Sequence, residues 1–497
     1  MGISTENLHL EPTRHSTLGK REIDAFPRRS WSCQSTRMNT SIKKPFYSLL
    51  HVSLLVACFS LTGKSVAEPG SLDRSFNPSA SYSLIGNTGS VGAIAFQRDG
   101  KVIIGGAFQQ LHLARLNPDG GIDPTFNVGN GVEAINEPGR GSPSVFALAV
   151  QEDGKILVGG YFNRVNGVER WKVARLNTDG SVDSAFVGVG GLLNSVLAVA
   201  IDPLGRILVG GNFDRGGYPR GILRLTTNGS YDLDFDPGAG TDRDVYAIAV
   251  QNDRKVLIGG NFSKFKTRDR NRIARLTPEA ALDPSFTSPF RDDGFVTSIV
   301  VQPDGKILVG GYLQLLNRRD AVSVVRLNVD GTPDRCFTPF FSGSGASSLN
   351  LDRDGMIIIG GPFVLRLYPD GDLDSTFVPP IDVGQVLCSA VQPDGNLLAG
   401  GAVSSIGSVL HPGVIGLVGG ASTNLGPVRL KTPCWTADQG AMLKVIGETN
   451  RAFSVHASTD LVEWTDWTNG ISAFPMATFF DQQATSIPYR FYRLTVP

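Results

Sequence analysis

QPDGKILVGG, residues 302–311, holds the end of one apolar segment, a Pro-Asp-Gly turn, and a second apolar segment closed by two glycines. Proline presets φ at about −65° for the first turn position. Glycine supplies the left-handed position that a short hairpin loop requires. The stretch reads as a β-hairpin. Its glycine pair recurs at 105–106, 159–160, 210–211, 259–260, 310–311, 360–361 and 400–401, seven copies spaced 40 to 54 residues apart. Such a period, with several short strands in each unit, points to a β-propeller and not to stacked helices.

Each unit carries four strand-like segments; in the second copy they are VFALAVQ, KILVGGYF, KVARLN and VDSAFV, at 145–151, 155–162, 172–177 and 182–187. All are rich in β-branched or aromatic residues and bounded by turn residues. The turn chemistry decays in the fourth copy to Asn252-Asp253-Arg254, where Arg254 is expected to take positive φ. A second hairpin places Arg115 opposite Asp123, and the pairing recurs as Arg175 with Asp183, Arg275 with Asp283, Arg326 with Asp334 and Arg366 with Asp374. A cross-strand ion pair contributes roughly 0.2–1 kcal/mol. Residues repeated in blade after blade serve blade geometry, since one active site needs a single asymmetric set. The glycine pair is read likewise, as a place where a neighbouring backbone comes close.

The Asp-x-x-Phe segment also occurs seven times, beginning at Asp73, Asp123, Asp183, Asp232, Asp283, Asp334 and Asp374. One copy precedes the first glycine pair and none follows the last. The strand around 71–76 is therefore expected to complete a seventh blade whose other strands come from 386–419, removing the exposed edges of an open array. The expected fold is all-β: a seven-bladed β-propeller over 68–420, closed by its N-terminal strand, then a linker and small β-sandwich over 421–497. The string V-x-A-I-A-V-Q-P-D-G-K-I-L-V-G-G-x-F, followed by R-L-N-x-D-G-S-L-D-x-x-F, resembles the delta-60 repeat of secreted bacterial proteins. That resemblance covers some 350 residues and implies a propeller and an extracellular compartment, with no catalytic residue carried over. The sixth and seventh copies depart most, with Gly355-Met356 in place of Gly-Lys and Ile415-Gly416-Leu417 lacking the arginine.

The leader is expected over residues 1–67. Lys43 and Lys44 precede the apolar run YSLLHVSLLVACFSL at 47–61, and Ser65-Val66-Ala67 follows as a small-x-small cleavage site. This is the pattern of a secretory signal peptide, too short to span a bilayer comfortably, with Met38 as the expected start. A second reading takes Leu55-Val56-Ala57-Cys58 as a lipobox, leaving Cys58 lipidated and the protein tethered to a membrane. Beyond the leader stand Cys336, Cys388 and Cys434. Three cysteines unmatched between copies do not make a disulfide framework; at most one bridge can form, and free thiols are expected.

Lys+Arg and Asp+Glu each total 46, so the net charge is zero and no basic excess marks a nucleic-acid protein. A charge-driven partner must be met by a local patch. Length variation and idiosyncratic residues gather in the loops opposite the tight turns. An insertion at 127–144 carries Glu133, Glu137 and Arg140; other loops carry Arg164, Arg170, Arg215 and Arg220. Insertions on one face of a repeat protein usually mark its binding face. The sharpest feature is KFKTRDRNR, with Lys264, Lys266, Arg268, Arg270 and Arg272, followed one copy later by Arg318 and Arg319. This patch suits an acidic polysaccharide or a cell-envelope protein; a solvated loop neutralised in part by Asp269 is the plainer reading.

Enzyme signatures are thin. His112, His411 and His456 stand in unrelated contexts, and no cofactor or metal motif is present. The calcium-like strings at 352–355 and 370–374 lack the bidentate glutamate and fall where other copies have ordinary turns. The alternative function is an extracellular carbohydrate-active hydrolase or lyase at the propeller channel, yet the innermost strands read as apolar. The tail has strand-like alternation at 452–457 and 489–496, and its SVHASTDLVEWT resembles a C-terminal module of large secreted bacterial proteins. Trp464 and Trp467 there could stack on sugar rings, with core packing expected for at least one.

Overall fold

The computed structural model describes residues 67–497 apart from 79–88, 109–110, 136–141, 192–193, 214–218, 338–344, 381–383, 403–404, 407–408, 411–412, 421–427, 431–433, 437–439, 447–450, 472–475 and 487–489. The leader with Cys58, and the loop residues Glu137, Arg140, Arg215 and His411, fall outside the described residues. The described chain is all-β but for short 3-10 turns such as Gln482–Thr485. In the first copy Ser90–Phe96 pairs with Val102–Ala107, which pairs with Leu113–Leu116, all antiparallel. Equivalent three-stranded sheets are led by Ser144–Val150, Val196–Ile201, Val245–Val250, Phe290–Val301, Ser348–Leu351 and Gln385–Val391.

The fourth segment departs from expectation. Residues 182–187 are not a strand: Val182 makes a single bridge to Leu176, and the chain then curls away. The cause is local. The Asp183 carboxylate accepts from the Ala185 N–H at 2.9 Å, and Phe186 N–H reaches the Asp183 carbonyl. An aspartate bonding its own downstream backbone offers the chain an alternative to a ladder.

Core residues come from pairs of successive copies. Leu208 and Ile222 of the third, for example, join Val245, Val256, Ile258 and Phe262 of the fourth. The glycine pair makes that packing possible. A Cβ on Gly259 would lie 2.4 Å from Val296 Cγ1 of the next copy, and one on Gly260 would lie 2.0 Å from the Asp244 carbonyl oxygen. Only the second glycine admits a backbone, that of its own sheet at the bulge between Val245 and Ala247. The first admits a neighbour's valine.

The arginine–aspartate pairs form, and Arg224 with Asp232 adds one the sequence reading did not include. They are buried hubs and not surface pairs. Arg175 Nε donates to Asp183 at 2.7 Å, Lys155 Nζ reaches the same oxygen at 2.9 Å, and the guanidinium stands 4.9 Å over the Phe186 ring. Its Nη1 then crosses to the Thr227 carbonyl in the turn of the next copy. The same crossing runs from Arg115 to Thr178, Arg224 to Pro278, Arg275 to Val329, Arg326 to Pro369 and Arg366 to Gly419. Each hub therefore fixes its own hairpin and ties its sheet to the next.

The first strands of successive copies pack against one another, and that of the last packs against that of the first. Residues 69–77 join this junction. Leu72 bridges Leu417, and Asp73 N–H donates to the Gly416 carbonyl at 2.9 Å. Phe76 is buried, and Asn77 N–H reaches the Asp119 carbonyl of the first copy at 2.6 Å. With Gly416 in the arginine position, Asp73 is held instead by Asn396 Nδ2 at 3.1 Å.

In the tail, Gly440–Ile446 pairs with Arg429–Leu430, Cys434–Thr436 and Met476–Asp481, while Ala452–Ser458 pairs with Thr465–Ile471 and Phe491–Thr495. Leu443, Val445, Phe453 and Val455 form a core shared by the two sheets, with Trp467 packed against it. Free thiols were expected, but Cys336 and Cys434 form a disulfide, leaving Cys388 free. Cys336 occupies the small-residue slot of its Asp-x-x-Phe turn, which presents its sulfur to the tail, and Lys444 Nζ bonds the Cys336 carbonyl alongside.

Candidate functional site

The basic stretch of the fourth copy folds as a small hairpin, Lys264–Phe265 against Arg268–Asp269. Phe265 is fully buried and pins it to the core. Asp242 holds its base, accepting from Ser263 N–H and Lys264 N–H at 2.8 Å each and from Ser263 Oγ at 2.7 Å. Burial pushes the Asp242 carboxyl up, but these hydrogen bonds outweigh it and hold the group below its ordinary value. Lys266 takes positive φ and donates its N–H to the Gly240 carbonyl. The stretch is thus a short anchored hairpin whose charged side chains face solvent.

Lys264, Lys266 and Arg268 are exposed on this hairpin and Arg270 is half-buried at its edge. Asp269 offsets the charge only loosely, 3.7 Å from Lys264 Nζ. Arg272 does not share the surface with them. It sits just before the third strand, takes φ +66° and turns its guanidinium inward, 3% exposed. There it donates to the Asn261 and Phe262 carbonyls and pairs with Asp292 at 2.8 Å. It is a structural residue, removed from the binding set by its backbone conformation. Arg318 and Arg319 are exposed beyond Ile307–Leu315 of the next copy. The corresponding hairpin of the second copy, Arg164–Val165 with Val168–Glu169, carries mixed charge, and Glu133 pairs alongside Arg164.

A feature absent from the sequence reading begins four residues after Asp242, which holds the base of the basic hairpin. Tyr246, Phe295 and Tyr312 bring their rings together: Tyr246 meets Phe295 edge-on at 6.5 Å between centroids, and Phe295 meets Tyr312 at 6.2 Å. Phe295 is 40% exposed. The Tyr246 hydroxyl lies 3.2 Å from Asp244, and burial first, then the Asp244 charge, pushes it up to about 12. It is a donor at neutral pH. The second copy has aromatic counterparts of two of them, Phe146 for Tyr246 and Tyr161 for Tyr312; Phe295, where that copy has Ser144, is the departure that completes the group.

The histidines have local duties. His112 takes positive φ and its Nδ1 accepts from Phe108 N–H, with burial pulling its pKa below the ordinary value. His456 bridges Asp466 at 2.6 Å and Thr495 at 2.8 Å across three strands of the tail. That connectivity resembles a nucleophile relay, but the Thr495 hydroxyl already donates to the Ser454 carbonyl. Asp352 accepts from Asp354 N–H and Met356 N–H in an ordinary turn. Among the described residues no cluster of His, Cys, Asp or Glu could hold a metal ion. Trp464 lies under Arg493, 4.6 Å from its guanidinium carbon, and donates Nε1–H to the Leu461 carbonyl.

The family described as a β-propeller domain of unknown function, DUF5122, matches residues 97–126, 151–186, 205–235, 251–286, 302–337 and 353–377. Each of the six matches ends at the phenylalanine of an Asp-x-x-Phe segment, so six copies carry a propeller-type repeat. No curated protein matches the chain. Among solved structures, a catalytically inactive virginiamycin B lyase from Staphylococcus aureus with quinupristin is 14% identical, covering 64% of this chain and 96% of its own, with a TM-score of 0.37. A gluconolactonase from Xanthomonas campestris is 17% identical, covering 59% and 99%, with a TM-score of 0.36. A protein of unknown function from Dyadobacter fermentans is 11% identical, covering 69% and 95%, with a TM-score of 0.33.

Proposed function

We propose that this is an exported, non-catalytic binding protein that engages an acidic polysaccharide of the cell exterior through its loop-bearing face. Its seven sheets close as a seven-bladed propeller, with residues 69–77 completing the last blade, and the β-sandwich tail is tethered by the Cys336–Cys434 bridge. The observation that carries the binding reading is the hairpin 264–269: three exposed cations on an element anchored by buried Phe265 and by Asp242. The second-copy hairpin is anchored likewise by buried Val165 but carries mixed charge, so the excess of exposed cations is what sets 264–269 apart. Preorganised cations lose little freedom on meeting a polyanion, which favours affinity. Arg318 and Arg319 extend the positive surface in the next copy. Export follows from the leader pattern over 1–67, and a structural disulfide suits an oxidising compartment.

The competing hydrolase or lyase reading asks for carboxylates or imidazoles converging on the first strands. Among the described first strands, aspartate occurs only at Asp292 and Asp293, at one end of the fifth. The test is binding to acidic and neutral polysaccharides at low and moderate salt. A variant with Lys264, Lys266, Arg268 and Arg270 changed to Gln runs alongside, with Arg272 left in place because it is structural. Salt-sensitive binding to acidic polymers, weakened about tenfold or more in the variant, is expected from the charges removed. Equal binding by both proteins would discard the hairpin as the contact.

A further inference from the structure

We infer that the rings of Tyr246, Phe295 and Tyr312 form a shelf that seats a pyranose ring of an acidic glycan whose carboxylates meet the cations of the neighbouring hairpin. The inference rests on the binding reading above and gives its ligand a chemical class. All three rings stand on strands: Val245–Val250, Phe290–Val301 and Ile307–Leu315. Phe295 pairs directly with Tyr312 in the ladder, so the spacing of the two rings is fixed by backbone register. A phenylalanine left 40% exposed forgoes much of the ~1.5–3 kcal/mol that full burial of its side chain would contribute. The ring is held in place by its neighbours all the same.

Polar groups stand on the shelf's own strands and beside its Tyr246 hydroxyl. A pyranose offers a C–H face that stacks on an aromatic ring and hydroxyls that need donors and acceptors. Asp244 is an acceptor beside the Tyr246 hydroxyl, and Asp292, 62% exposed, is a second. Asp292 is paired with buried Arg272, whose Nε has no hydrogen-bond partner among the described residues. Against the larger effect of burial, which pushes the Tyr246 hydroxyl up, the Arg272 charge draws it down. The shelf and the hairpin share one segment: Asp242 caps the hairpin base, and two residues on Asp244 accepts Asn261 N–H at its carbonyl while its N–H meets Asn261 Oδ1. Two residues further comes Tyr246. Rings, acceptors and exposed lysines are thus held in one frame. A neutral sugar would leave Lys264, Lys266 and Arg268 unused, and a ring-free polyanion would leave the shelf unused.

The test compares hexagalacturonate with hexa-aspartate, two short polyanions of which only the first has pyranose rings. Calorimetric titrations use the protein, Phe295→Ala/Tyr312→Ala, Phe295→Leu, and the four-charge hairpin variant, with melting curves confirming that each is folded. The protein is expected to bind the uronate about tenfold tighter than the peptide. The ring variants should lose that margin and keep peptide binding, with Phe295→Leu serving should the double change unfold. Uronate binding unchanged in folded ring variants overturns the shelf and leaves the electrostatic reading standing. Ring-dependent uronate binding that ignores salt and the hairpin charges overturns the electrostatic reading and keeps the shelf's pyranose site. Binding of neither ligand overturns both.

Discussion

Arg175 shows what a single repeated residue does in this fold. It is buried, its Nε meets Asp183, its guanidinium covers Phe186, and its Nη1 bonds a carbonyl of the next sheet. Wholly breaking a buried pair costs about 3–5 kcal/mol; with Lys155 still on Asp183 the loss of Arg175 leaves that charge partly compensated and costs a share of this. Arg175→Ala is therefore expected to lower the urea midpoint sharply at pH 6. The pH dependence has a definite sign. Burial alone would raise the Asp183 carboxyl, but hydrogen bonds from Lys155, the Ala185 N–H and Arg175 outweigh it and bring it down to about 2. A carboxyl whose folded value lies below its unfolded one adds stability that is full above the unfolded value of about 4 and is lost as pH falls towards the folded one. Unfolding measured at pH 6 and pH 3 should show the gap between protein and variant narrowing at pH 3, where Asp183 begins to protonate. A gap that widens on acidification would contradict this assignment. The eight-residue spacing of arginine and aspartate made the pair legible in the sequence. The crossing to the Thr227 carbonyl was not, because it depends on how one sheet is offset against the next.

At the scale of elements, the hairpin 264–269 differs from the tight turns because its stability is borrowed from the core. Two-residue strands make almost no ladder of their own. Phe265 supplies the anchor, fully buried and bridged to Thr241. Phe265→Ala is expected to cost about 3–5 kcal/mol locally, and a local opening of that size should show as faster amide exchange across 263–269 while Val256–Gly260 keeps its protection. Equal loss of protection in both would mean that the hairpin and its sheet open together. The hairpins, turns and glycine pairs could be read from the sequence because their chemistry is local: proline, glycine and aspartate act within a few residues. The fourth segment was misread for the same reason that makes it recur. Alternating VDSAFV looks like a strand, yet its aspartate bonds its own downstream N–H and bends the chain. Arg272 was misread because composition does not tell that the backbone position before a third strand turns its side chain inward. The aromatic shelf escaped notice because Tyr246, Phe295 and Tyr312 lie in three different strands, and two of them stand where the second copy also has an aromatic residue, Phe146 and Tyr161.

For the whole molecule the decisive question is how a linear array of sheets ends. Cys336 and Cys434 are 98 residues apart, in segments with no shared pattern, so nothing in the sequence announced their bridge. The proposed ring closure, by contrast, was legible from counting: an Asp-x-x-Phe copy before the first glycine pair and none after the last. Its strength lies in the contacts of residues 69–77, among them the Pro69 carbonyl with Val378 N–H, the Leu72–Leu417 bridge, the Asp73–Gly416 hydrogen bond, buried Phe76 and the Asn77–Asp119 hydrogen bond. These touch the sixth, seventh and first copies, so one short segment stands in for the arginine hub that Gly416 cannot provide. Deleting residues 68–78 should expose Val414–Leu417 as a free edge and leave an array whose sheets unfold less cooperatively. The expected result is a lower and broader melting transition, with concentration-dependent association through the bared edge. Adding a synthetic peptide of residues 68–78 should restore the sharp transition, since every contact the segment makes is non-covalent. A deletion protein that melts as the intact one does would mean the ends are held by the first strands alone, and the N-terminal segment would then be an ornament on a ring already closed.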